Sequence, residues 1–114
     1  MVLKEIVGIL QATVIWADSL DVEIRTACGS DMMSDALAFV KDQGILLTGL
    51  LNTQVIRTAD MLDMRCVCFV RGKKPGDEII ELAKERGVAL ISTEHRMFTA
   101  CGKLYSAGLT GGQG

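Results

Sequence analysis

Three short apolar runs, residues 45–48, 66–70 and 88–91, each end in a small or polar turn and lead into a segment whose apolar positions recur at helical spacing. The runs lack polar alternation, which is how a strand reads when helices cover both faces of its sheet. The rhythm is βαβαβα. Ligands of open parallel α/β sheets sit beyond the carboxyl ends of the strands, so function is expected in the turns after these runs.

The flanking elements extend the scheme. Residues 3–10 form an amphipathic helix with Ile6, Ile9 and Leu10 on one side, and residues 13–16 a brief strand before a turn at Asp18-Ser19. Residues 22–27 alternate Val22, Ile24 and Thr26 against Glu23 and Arg25 and are expected to form a second strand. Cys28-Gly29-Ser30-Asp31 turns into a helix over residues 32–41 carrying Met33, Ala36, Leu37 and Val40, with Gly44 just past its end. Ser30 is expected to accept from its exposed N–H groups, and Asp31 and Asp35 to complement its dipole. Asn52 caps a helix with the face Val55, Ile56, Ala59 and Leu62. Pro75 is expected in the first turn of the next helix, ahead of Asp77 and Glu78, with Ile79, Ile80, Leu82 and Ala83 inward and Gly87 closing it. Thr93 is expected to cap a last helix that includes Met97, Cys101, Leu104 and Tyr105 before Gly108.

The pattern predicts the α/β class, a three-layer α/β/α sandwich with a mainly parallel sheet of about five strands. A single domain is expected over residues 1–109, with a flexible Gly-rich tail at 110–114. At 114 residues and 49% hydrophobic, the chain buries a core without staples. Its net charge of −2 argues against a broad nucleic-acid-binding face, since the one basic cluster, Arg71-Gly72-Lys73-Lys74, is short. No apolar run approaches the ~20 residues of a membrane helix. The first residues lack the layout of a signal peptide, so the expected location is cytoplasmic.

Cys66 and Cys68 flank Val67 and would share one face of a strand. With Cys28 and Cys101 they read as free thiols; the competing reading, a metal or iron–sulfur site, lacks the close paired spacing such ligands use. His95, the only histidine, is expected in a helix's first turn, either as a bland exposed residue or as a base beside Asp31 or Glu94. Arg71, Lys73 and Lys74 best suit an anion. The tentative ligand-binding set is Ser30, Asp31, Thr48, Gly49, Asn52, Arg71, Gly72, Lys73, Ser92, Thr93 and His95, all in strand-end turns expected at one edge. No metal or cofactor is expected. The six methionines, with Met32, Met61 and Met64 expected at the surface, point to a homodimer.

The stretch GILLTGLLNTQVIRTADMLDMRCVCFVRGKKPGDEIIELAKERGVALISTEHRMFTACGKLYSAG, with ACGSDMMSDALAFVKDQ before it, resembles the DRTGG domain family over nearly the whole chain. Related domains are fused to CBS-containing pyrophosphatases and phosphotransacetylases, and the fold is similar to the amino-terminal domain of HPr kinase/phosphorylase. Stand-alone copies occur beside hydrogenase and NADH-oxidising subunits. The resemblance therefore implies a non-catalytic regulatory, ligand-sensing or dimerisation module acting on a partner redox or metabolic enzyme. An adenine-nucleotide or phosphate-ligand binding protein is the alternative, and a small enzyme using His95 the third reading. In place of the family's Asp-Arg pair this chain has Gly49-Leu50-Leu51-Asn52, and in place of its Thr-Gly-Gly it has Val70-Arg71-Gly72. Gly49 and Gly72 keep the backbone shape but not the chemistry. No GxxxxGK[ST] string exists to hold phosphates as a P-loop does, so kinase activity is not expected.

Overall fold

The computed structural model describes residues 1–39 and 44–111. In chain order the elements are α1 (Leu3–Leu10), β1 (Thr13–Trp16), β2 (Thr26–Gly29), α2 (Met33–Phe39), β3 (Gly44–Thr48), α3 (Thr53–Met61), β4 (Cys66–Phe69), α4 (Asp77–Arg86), β5 (Ala89–Ser92) and α5 (Met97–Ser106). The five strands make one sheet in the order β1-β5-β4-β3-β2.

Alternation along the central strands builds two cores. Ile45, Leu47, Cys66, Cys68, Ala89 and Ile91 face α1 and α5, where Leu3, Ile6, Leu10, Ala100 and Leu104 are buried. Leu46, Val67, Phe69 and Leu90 point the other way, against Met33 and Ala36 of α2, Val55, Ile56 and Ala59 of α3, and Ile79 and Ala83 of α4. Every residue of β3, β4 and β5 is buried, which explains why those runs carry no polar alternation. The three-layer α/β/α expectation thus describes the molecule.

The sheet is mixed rather than wholly parallel. β2, β3, β4 and β5 pair in parallel, while β1 runs antiparallel to β5 with a register break between Val14 and Trp16.

The expected strand at residues 22–27 is displaced. β2 occupies Thr26–Gly29, and residues 22–24 instead lie along the chain start: Leu3 N–H donates to the Val22 carbonyl, Ile24 N–H to the Met1 carbonyl, and Val2 bridges Glu23. The alternation was real, because Ile24 is fully buried under α1, but the partner is a terminal segment and not the sheet. Pro75 precedes the N-cap Gly76 of α4, outside the first helical turn, although Asp77 and Glu78 stand there as expected. Met64 is buried, while Met32 and Met61 are exposed. Val40 and Lys41, in the expected end of α2, lie outside the described residues, as do 112–114 of the tail. Thr110 bridges Thr26, and its carbonyl accepts from Ala27 N–H. No helix among the described residues is long and apolar enough to cross a membrane.

Two substitutions test this packing. Phe69→Ala empties the centre of the α2–α4 core and is expected to cost ~3–5 kcal/mol. Gly44→Ala would place a Cβ 2.5 Å from the Thr26 carbonyl oxygen, forcing β2 from β3, at a cost of ~1–3 kcal/mol. Urea unfolding checks both; a loss below ~1 kcal/mol for Phe69→Ala contradicts the assigned core.

Candidate functional site

Parallel pairing brings the carboxyl ends of β2, β3, β4 and β5 to one edge, and hydrogen bonds stitch the turns there together in sheet order. Ser30 N–H donates to the Leu47 carbonyl, Val70 N–H to Thr48, Thr93 N–H to Phe69, Gly72 N–H to Thr93 and Arg71 N–H to His95. β1 begins at this edge because it is antiparallel, with Thr13 opposite Ser92.

The polar side chains divide into those that build the edge and those left facing outward. Ser92 Oγ donates to the Lys73 carbonyl at 2.7 Å, and Thr93 Oγ1 to the Leu10 carbonyl at 2.7 Å; both residues are buried. Asn52 Oδ1 caps α3 by accepting from Val55 N–H at 3.2 Å, as its position predicted, whereas Ser30 Oγ accepts from Met32 N–H at 3.0 Å, before α2 begins at Met33, and so braces the turn and not the helix. The last helix differs from expectation. Thr93 does not cap it; α5 starts at Met97 after the N-cap Arg96, and His95 lies in the preceding turn rather than in the first helical turn. A buried hydroxyl already bonded to Leu10 holds the turn three residues upstream of the N-cap, and His95 N–H returns to that hydroxyl at 3.3 Å.

Asp31 links two strands. Its Oδ1 accepts from Gly49 N–H at 2.7 Å and from Thr48 Oγ1 at 2.9 Å, and Thr48 Oγ1 in turn accepts from Leu50 N–H at 3.1 Å. The Gly49 N–H above all, then the Thr48 hydroxyl and the charges of Arg71 and Lys73, hold the Asp31 carboxyl below the usual carboxylate range against an opposing push from burial. Arg71 and Gly72 both take left-handed backbone, φ 61° and 69°. This turn lays the Arg71 guanidinium on the Gly49 Cα, where a Cβ would overlap Nη2, and sets the Glu94 carboxylate against Gly72. The Arg71 guanidinium and the His95 imidazole make no hydrogen bond or ion pair among the described residues. Neither the Arg71–Gly49 contact nor the Glu94–Gly72 contact was visible in the sequence; Arg-Gly in a strand-end turn was the only signal.

Of the expected set, the structure therefore gathers Asp31, Thr48, Gly49, Arg71, Gly72 and Lys73 around the ends of β3 and β4. Ser92, Thr93 and His95 continue the edge at β5. One concavity lies at the opposite edge between Asp18, Ser19, Val22, Arg65, Gly87 and Ala89, and another between α5 and β2. The strand-end edge is a polar ledge: the Thr48 and Gly49 donors are buried and already bonded to Asp31, while the charged Arg71 and Lys74 are exposed.

Cys66 and Cys68 are fully buried on one sheet face, and burial pushes the Cys68 thiol up to about 12 and that of Cys66 well above its ordinary value. Burial likewise raises the half-buried Cys28 and Cys101. Thiols held protonated in this way are poor nucleophiles and poor metal ligands. Among the described residues no group of three His, Cys, Asp or Glu is placed to hold a metal.

The model of the DRTGG domain matches residues 5–107. The chain belongs to the DRTGG domain family. A solved structure of the CBS and DRTGG domains of the regulatory region of Clostridium perfringens pyrophosphatase, complexed with its activator diadenosine tetraphosphate, superposes with a TM-score of 0.76 at 24% identity. It covers 90% of this chain and 45% of that one, so the DRTGG domain here spans under half of that regulatory region. No curated protein matches in sequence.

Asp31 gives the ledge a pH signature. Its carboxyl is depressed in the folded state, so the stability it contributes is present above the unfolded carboxylate value, about 3.9, and is lost as pH falls through the lower folded value. In Asp31→Asn, the unfolding midpoint is expected to fall less between pH 5 and 2 than in the parent. Parallel curves for the two proteins contradict the Gly49 and Thr48 bonds.

Proposed function

We propose that this DRTGG domain is a non-catalytic regulatory module that senses a nucleotide or another phosphate-bearing ligand on the strand-end ledge and passes its occupancy to a partner metabolic enzyme. Redox enzymes of the hydrogenase-linked kind are the first partners to examine. The observation that carries the reading is the Arg71 guanidinium, packed over Gly49 with no ion pair among the described residues, with Lys73 as a second positive charge acting on the same Asp31 carboxylate at the strand ends. A planar guanidinium recognises phosphate oxygens bidentately, and its held position reduces the ordering cost of binding. That a related regulatory region is complexed with a nucleotide activator supports the class of ligand.

The catalytic alternative has less support. His95 would need an acid, yet Asp31 is bonded to Thr48 and Gly49 two strands away, and Glu94 lies against Gly72. Dimerisation belongs to the same proposal. Met32 and Met61 on the α2–α3 side and Phe98 and Tyr105 on α5 are 60%, 68%, 89% and 69% exposed and offer apolar side chains to a second copy on either face of the sheet.

Amide NMR shifts recorded while ATP, ADP and AMP are titrated test the ligand reading. Perturbations are expected at residues 28–31, 48–52, 71–74 and 92–95; shifts confined to Gly44, Asp63 and Gly87 at the opposite edge overturn it. Gly49→Ala is expected to cost under ~1 kcal/mol, because only a side-chain tip must move, and to weaken nucleotide binding by displacing Arg71. Light scattering at micromolar concentration is expected to give a dimer mass, and a monomer mass contradicts the dimer.

A further inference from the structure

The donors that would receive a phosphate at the end of β3 are already occupied by an anion, and that anion is part of the chain. Asp31 Oδ1 takes both the Gly49 N–H and the Thr48 hydroxyl, and the positive charges of Arg71 and Lys73 act on the same carboxylate. The Arg71 guanidinium packs on Gly49 but does not close onto Asp31 as an ion pair. It therefore keeps its donors for something else. Asp31 itself is exposed and stands in the turn between β2 and α2, so solvent is within reach of its carboxylate once these bonds open.

We propose that Asp31 is an internal stand-in for the ligand: it closes the Gly49–Thr48 donors in the empty protein, and a phosphate group must displace it to bind between those donors and Arg71. This inference rests on the ligand reading above. Displacement exchanges one charge-assisted set of hydrogen bonds for another, so intrinsic affinity is reduced by the fraction of time the donors are open. The exchange also gives the ligand a structural consequence. Released Asp31 leaves the Ser30–Leu47 bond to hold the β2–α2 turn to the end of β3, so the loosened turn carries occupancy to the start of α2, where Met32 just before the helix and Leu37 within it are exposed. The device also selects among anions. Small monoanions gain little over the resident carboxylate, whereas a phosphate dianion or pyrophosphate adds charge and a second set of oxygens for Arg71.

The test uses the intact chain and inorganic pyrophosphate, with calorimetry for affinity and the Gly49 amide resonance for location. Asp31→Asn is expected to tighten pyrophosphate binding by at least about tenfold, the factor that follows when a charge-assisted bond no longer has to be broken. Asp35→Asn, in the first turn of α2, removes an equal charge without touching Gly49 and is expected to change affinity by less than about twofold. In the parent the Gly49 amide shifts as pyrophosphate replaces the carboxylate. Equal tightening by both variants assigns the effect to general charge and overturns the stand-in. Binding that moves Gly49 but is unchanged or weakened in Asp31→Asn also overturns it while leaving the ligand reading intact. Failure of pyrophosphate to bind either protein overturns both.

Discussion

The parallel pairing of β2, β3, β4 and β5 is the constraint from which the rest of this domain follows. Cys28 lies opposite Leu46, Leu46 opposite Val67, and Val67 opposite Leu90, so the four carboxyl ends finish together at one edge. Because both faces are covered by helices, a slip of one residue would exchange the two cores. Leu46, Val67 and Leu90 would then meet α1 and α5, and the α2–α4 side would receive the small Ala89 and the cysteines. Burial thus fixes register, and register fixes which turns are neighbours.

On that edge, electrostatics is settled locally. Most hydroxyls and amides are consumed in holding the turns: Ser92 on Lys73, Thr93 on Leu10, Asn52 on Val55. What remains is a short arc of charge, Asp31 against Gly49 with Arg71 and Lys73 around it. A chain of net charge −2 can present a local anion site in this way, because a guanidinium and N–H groups within a few ångströms outweigh distant, screened charges.

The fully buried strands and capped helices were legible because each position obeyed one rule: β3, β4 and β5 are apolar on both faces, Asn52 caps α3, and Gly87 closes α4 in left-handed backbone. Errors fell where a tertiary partner overrode a local signal. Ile24 alternates like a strand residue, but its neighbours are the first residues of the chain. Thr93 precedes a helix as a cap would, but its hydroxyl reaches Leu10, 83 positions away in sequence. The candidate site was legible as a set of turns and not as a mechanism. Nothing near Asp31 in sequence indicates that it bonds Gly49, 18 residues on, or that left-handed Arg71 folds over that same glycine. The antiparallel sense of β1 was equally hidden, since a half-exposed edge strand pairs either way.

The central claim is that the strand-end ledge is the face by which this DRTGG domain meets its ligand. Hydrogen–deuterium exchange with and without ATP tests it most directly, since bound phosphate protects the N–H groups it engages and occupancy changes the turns tied to them. The account predicts altered exchange in residues 28–33, 48–52 and 70–74, with the amides around Arg65 and Gly87 unchanged. Protection confined to the opposite edge, around Ser19, Arg65 and Gly87, would contradict it.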